Sequence, residues 1–187
     1  AALNGTVWVP VVGDAAVFAA TGEGRVYSLD TANGAIVWNV PASNTRISTS
    51  PVLSEDGCLY CVDVHDVLYC LSQNDGRVKW WSDCSSFGPP GPELERVRTS
   101  QKPESRDQRP EGPNSLVSSF CFPHSGLSGA GGRDDVLNSS PTIGPDGEVL
   151  VMGQRALYAV TGSTSAPLAN TAWPKWQRDS YSTGPAR

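Results

Sequence analysis

No apolar run in these 187 residues approaches the roughly 18 needed to cross a bilayer as a helix, so no membrane insertion is expected. Positive charge is scarce: 14 Lys and Arg stand against 19 Asp and Glu, a formal net charge of −5. That balance argues against nucleic acid as a partner, because phosphate binding calls for a basic surface. Only two histidines are present, His65 and His124, too far apart in sequence to propose as an acid–base pair. No Ser/His/Asp triad is supported by context. The Gly-rich stretch Ser128–Gly132 lacks the strand before it and the Lys-Ser/Thr after it that a phosphate loop requires, and reads as a linker. Adjacent cysteines are missing as well. From these gaps, no catalytic residue, no cofactor and no metal is expected. The chain opens without Met and inside a strand-like pattern, as a piece of a longer protein or a processed chain would.

Glycine and proline are plentiful, at 19 and 15, which suits a turn-rich β protein. The organising stretch runs from Gly24 to Trp38. Its Val26, Tyr27, Leu29, Gly34, Ile36 and Trp38 return 42 residues later (Val26 to Leu68) as Leu68, Tyr69, Leu71, Gly76, Val78 and Trp80. A period of about 42 residues holding four short strands is the signature of propeller blades. The predicted fold is all-β: about three four-stranded antiparallel blades of an incomplete propeller, with one long irregular insertion. Strands are expected at 15–20, 25–29 and 35–40 in the first unit, and at 48–53, 57–63, 67–72 and 77–81 in the second. Residues 1–81 hold the first two repeats. Residues 82–137, rich in Pro, Gly, Ser and charge, cannot bury a core and form the insertion. Its one apolar island, around Leu116, Phe120 and Phe122, is expected to pack back on the body or bind a partner. Residues 138–187 hold the third repeat and the start of a further blade. There Ser139–Ile143 matches Thr49–Leu53, and Pro145-Asp146-Gly147 matches Glu55-Asp56-Gly57.

The five cysteines are Cys58, Cys61, Cys70, Cys84 and Cys121. Cys58 and Cys61 have CxxC spacing, but within a strand they point to opposite faces, and a zinc site lacks its remaining ligands. A redox CxxC belongs at a helix N-terminus, which this is not. With His65-Asp66 as a two-residue hairpin turn, Cys61 falls opposite Cys70 in a non-hydrogen-bonded pair whose Cα spacing of about 4.5 Å suits a disulfide. The alternative is two buried thiols packed as small hydrophobes. Cys84 and Cys121 flank the insertion and are candidates to close its loop. Asn4 and Asn138 head glycosylation triplets, meaningful on a secretory route.

Asp30, Gly34 and Trp38, each four apart, resemble the repeat of quinoprotein (pyrroloquinoline-quinone-like) β-propellers. So do the Ser-Pro-x-(Ile/Leu)-x-x-Asp-Gly openings that end at Gly57 and Gly147, and the terminal stretch from Trp173 to Gly184. The resemblance covers about 130 residues. It implies that Trp38 and Trp80 dock between neighbouring blades, with Asp30, Gly34 and Gly76 shaping the turns beside them. Ser72 stands where the first unit has Asp30, and the third unit lacks the Gly-x-x-x-Trp spacing. Such propellers close with more blades than three, so the chain is expected to be completed by missing blades of the same protein or by other protein chains. Three functions follow. The first is a non-enzymatic scaffold for protein–protein interaction. The second is a fragment of a quinone- and calcium-dependent dehydrogenase. The third is an extracytoplasmic ligand-sensing or carbohydrate-binding propeller. Related repeats imply an extracytoplasmic home, secreted or periplasmic.

Overall fold

A computed structural model describes residues 2–84, 97–98, 118–123, 139–144, 146–152, 156–161, 166–171 and 174–175. Three antiparallel sheets make up this region, and the chain is built of propeller blades.

Blade 1 has the order β1-β2-β3-β4, from β1 (Val11–Val12) and β2 (Ala16–Ala20) to β3 (Arg25–Asp30) and β4 (Ile36–Pro41). Blade 2 repeats it with β5 (Val52–Leu53), β6 (Cys58–Val62), β7 (Val67–Ser72) and β8 (Val78–Asp83). The two blades share an irregularity. The ladder shifts between Ser28 and Leu29 in the first and between Cys70 and Leu71 in the second, leaving Val37 and Lys79 as extra residues on the outer strands. A bulge of this kind increases twist at a sheet edge. The turns are also shared. Asp30 Oδ1 accepts hydrogen bonds from the N–H groups of Ala32 and Asn33 at 2.8 and 3.1 Å, and Gly34 takes a φ of +68°.

Blade 3 is assembled differently. Its order is β11-β12-β13-β10-β9, with β11 (Thr142–Ile143), β12 (Val149–Met152) and β13 (Ala156–Thr161) following the shared pattern. The fourth position is filled from upstream by β10 (Ser118–Pro123), which pairs with all of β13, and β9 (Val97–Arg98) lies outside it. The apolar island of the long insertion is thus a sheet strand. Phe120 and Phe122 occupy its register positions opposite Ala159 and Leu157, while Leu116 lies outside the described residues.

Alternation along β6 and β7 decides where the core lies. Leu59, Cys61, Val67, Tyr69 and Leu71 join Val11, Phe18, Ala20 and Val26 in a core between blades 1 and 2. Cys58, Tyr60, Val62, Leu68, Cys70 and Trp80 join Ile143, Val149, Val151, Tyr158 and Val160 in a core between blades 2 and 3. Blade 2 is therefore buried on both faces, and its strands read as nearly continuous apolar runs for that reason.

The chain after blade 3 returns to blade 2. Leu168 bridges Ser54, the N–H of Ala169 donates to Leu53 O at 2.9 Å, and the N–H of Leu53 donates to Pro174 O at 2.8 Å. This segment covers the otherwise unpaired edge of β5, the kind of edge that invites non-native pairing when left open.

Candidate functional site

Two polar constellations stand out, one on each side of blade 2. Both depend on the β6–β7 hairpin. That hairpin does not turn on two residues. Asp63 pairs with Val67, leaving Val64, His65 and Asp66 as a three-residue loop in which Asp66 takes a left-handed φ of 61°. The cause is the Asp63 carboxylate. Its Oδ1 accepts from the backbone N–H groups of His65 and Val67 at 2.9 and 3.1 Å, closing the turn one residue early. His65 itself is exposed.

The extra residue in this turn corrects the proposed Cys61–Cys70 pair. Cys61 stands opposite Tyr69, and Cys70 stands opposite Tyr60. Cys61 faces blade 1 and Cys70 faces blade 3, so no disulfide can join them; both are free thiols. Cys84 is likewise a free, buried thiol, which removes the Cys84–Cys121 loop closure. Burial pushes the Cys61 and Cys84 thiols up to about 12, with Asp63 and Asp83 adding to the respective shifts.

On the blade 1 side, Asp63 is 1 % exposed and accepts five hydrogen bonds. Besides the two backbone groups, Oδ2 accepts from Ser43 Oγ at 2.8 Å, Thr45 Oγ1 at 2.9 Å and the Tyr69 hydroxyl at 3.0 Å. Ser43 and Thr45 belong to the link between blades 1 and 2, so this network locks the link onto the hairpin. In blade 1 the corresponding position is Thr21, whose hydroxyl bonds to Arg25 O. Sequence reading missed Asp63. The signal was present as an acidic residue at the position where the first unit has Thr21.

Trp38 sits at the same junction. Its Nε1–H donates to Gln73 O at 3.1 Å, its ring centroid is 5.8 Å from that of Phe18, and a Cβ built on Gly76 would meet its Cε3 and Cζ3 at 2.8 Å. Gly76 holds a φ of +72°, so glycine is required there twice over, for backbone conformation and for the indole. Trp80 is buried in the other core against Tyr60, ring centroids 5.7 Å apart. Trp81, which follows it and has no counterpart in the first unit, is half-buried and packs against the core between blades 1 and 2.

On the blade 3 side, Cys58, Cys70 and Lys79 come together. Lys79 Nζ lies 3.0 Å from Cys58 Sγ, and Asp56 Oδ2 lies 3.5 Å from the same sulfur. The Cys58 thiol is lowered to about 6, first by a hydrogen bond from Cys70 and then by the bond and charge of Lys79, against desolvation and the charge of Asp56. The Cys70 thiol is raised, by its bond to Cys58 and by burial. Burial, with the neighbouring sulfurs, also raises the Tyr60 phenol. Sequence reading set Cys58 against Cys61 because of their spacing. The partner that matters lies across the hairpin, and only the register reveals it.

The remaining candidates scatter. Asn4 is exposed at the start of blade 1, and Asn138 lies outside the described residues. Among the described residues, no three His, Cys, Asp or Glu side chains are grouped to hold a metal ion, and no helix is long and apolar enough to cross a membrane.

A family model described as outer membrane protein assembly factor BamB, of PQQ-type repeats, matches residues 1–106, more than half of the chain. The chain belongs to this family. A curated member, outer membrane protein assembly factor BamB of Legionella pneumophila (strain Paris), is 34 % identical over 71 residues, which are 38 % of this chain and 17 % of the relative. The chain therefore spans about a sixth of that protein's length. Among solved structures, BamB from Moraxella catarrhalis aligns with a TM-score of 0.44 and 14 % identity, over 89 % of this chain and 49 % of that one. Myxococcus xanthus glutaminyl cyclase aligns with a TM-score of 0.43 and 11 % identity, over 86 % and 56 % respectively.

Proposed function

We propose that this chain is part of a BamB-like propeller that works as a non-enzymatic scaffold, holding other protein chains against rigid blades outside the cytoplasm. The observation that carries this reading is the family match over residues 1–106. The curated relative's name places it in outer membrane protein assembly, which favours protein partners and an extracytoplasmic home. The packing suits the role. Blade 2 is clamped between two cores, so surfaces displayed on the blade rims are held in fixed geometry. Blade 1 displays an apolar pair at its outer edge, Ile36 and Val37, exposed by 40 and 60 %. The second blade carries Val78 and Lys79 at the equivalent places. The residues expected to dock blades (Asp30, Gly34, Trp38, Gly76 and Trp80) act in this reading as scaffold parts, and the missing blades or other chains complete the ring. In this reading residues 1–81 carry the first two repeats and 138–187 the third, which draws β9 and β10 from the 82–137 segment into its sheet.

The test is affinity purification of the protein from its source, with and without an Ile36→Asp/Val37→Asp double change. Partners that co-purify with the wild type and fall at least about tenfold with the variant support a scaffold whose binding edge is β4, a loss in the range of an interface hot spot. Equal recovery of every partner refutes the edge. Turnover of a small substrate by the purified protein refutes the non-enzymatic reading.

A further inference from the structure

Cys58 and Cys70 sit on the same face of the β6–β7 hairpin, two positions out of register: Cys58 is opposite Ser72 and Tyr60 is opposite Cys70. Diagonal neighbours of this kind have Cα atoms about 7–8 Å apart, with Cβ atoms somewhat closer. A disulfide needs Cα atoms no more than about 6.8 Å apart. The pair is thus reduced at rest, yet about 1 Å of closure would join it. The ladder is irregular at the right place, between Cys70 and Leu71, where Lys79 is the extra residue of β8. Lys79 is exposed on the outer strand, while Cys58 is 1 % exposed beneath it. Its ammonium is therefore both the charge partner of the sulfur and the cover over it. The groups around Cys58 are Asp56 and Tyr60 from its own segment, Cys70 from β7 and Lys79 from β8. Among the described residues, the same core also holds Tyr158 from blade 3 and Cys84 from the end of blade 2.

We propose that Cys58 and Cys70 form a peroxide-reactive dithiol, in which Cys58 attacks, Cys70 resolves, and Lys79 holds the anion and admits the oxidant. Cys58, as the thiolate, attacks the terminal oxygen of a hydroperoxide ROOH. The O–O bond breaks, Cys58 becomes a sulfenic acid, and the leaving alkoxide takes a proton from Lys79, which solvent restores. Cys70 then gives up its proton and attacks the Cys58 sulfur. The S–S bond forms, the S–O bond breaks, and hydroxide leaves with that proton as water. Two thiols are oxidised by two electrons, and ROOH is reduced to ROH and water. Small peroxides fit this site better than bulky disulfides, because the attacking sulfur lies under a single side chain. A bridge formed across a diagonal pair is strained and so readily reduced, as a reversible sensor requires.

The experiment treats the intact, folded chain with substoichiometric hydrogen peroxide at pH 7, caps free thiols and maps the peptides. The expected first product is a Cys58–Cys70 disulfide, with Cys61 and Cys84 still reduced. Lys79→Met should slow its formation about tenfold at pH 7, because a Cys58 thiol returned from about 6 to near its ordinary range keeps less than about a tenth of its thiolate there, and regain the wild-type rate above the ordinary thiol range. Cys70→Ser should stop at a sulfenic acid on Cys58 that dimedone traps. Should that variant not fold, the wild-type and Lys79→Met arms decide alone. Oxidation of Cys61 or Cys84 ahead of Cys58, or a rate indifferent to Lys79→Met at pH 7, overturns the proposal.

Discussion

Replacing Asp63 by Asn tests what locks blade 1 to blade 2. The carboxylate meets five donors, two backbone N–H groups at Oδ1 and three hydroxyls at Oδ2. An amide keeps one acceptor oxygen. The backbone N–H groups cannot reverse polarity, so the amide oxygen must stay at the Oδ1 side. Its NH₂ then faces Ser43, Thr45 and Tyr69, whose hydroxyls can rotate to accept. Three charge-assisted bonds become at most two neutral ones. With charge-assisted bonds worth about 1.5–3 kcal/mol and neutral ones about 0.5–1.5 kcal/mol, three of the first less two of the second comes to roughly 3.5–6 kcal/mol. Tyr69→Phe removes one donor and leaves four, and should cost about 1 kcal/mol. Urea unfolding followed by intrinsic fluorescence measures both, with an unchanged m-value certifying that the native and denatured states keep their compactness. The double variant should lose less than the sum, since the two residues share a bond. An Asp63→Asn cost below about 0.5 kcal/mol, the range of an ordinary surface change, would refute the idea that this network carries the junction.

Gly76→Ala should destabilise by roughly 2–3 kcal/mol, combining a left-handed backbone cost of about 1–2 kcal/mol with displacement of the Trp38 ring. Thermal unfolding together with the emission of Trp38 checks it, and an unmoved indole signal counts against the docking geometry. Trp80→Ala should cost about 3–5 kcal/mol by opening a cavity between blades 2 and 3. Hydrogen exchange should then quicken in β12 and β13 while β2 and β3 stay protected, and equal loss in both blades would show that the cores are not separate.

The 42-residue recurrence made the blades legible before any coordinates, because each unit must repeat the residues that turn its chain and pack its neighbour. Asp30 to Trp38 and Gly76 to Trp80 are of that kind. The β6–β7 register was less legible. A two-residue turn on His65-Asp66 and a three-residue loop differ by one position, and that position reverses which face a cysteine occupies. What decided it was a side chain, the Asp63 carboxylate capping two backbone donors, and no pattern of hydrophobicity reports such a cap. Nor did composition reveal that Ser118–Pro123, within a polar and proline-rich tract, becomes the fourth strand of blade 3.

The sequence by itself determined the fold class, the blade period, the turn glycines and the tryptophans at repeat positions. Those follow from local conformation and from a periodicity that one chain carries in its own letters. Tertiary structure alone decided that Cys61 and Cys70 face different cores and that Cys58 gains Cys70 and Lys79. It also gave blade 3 a strand from far upstream. Each depends on a pairing between segments distant in the chain, where a shift of one residue exchanges the buried partners.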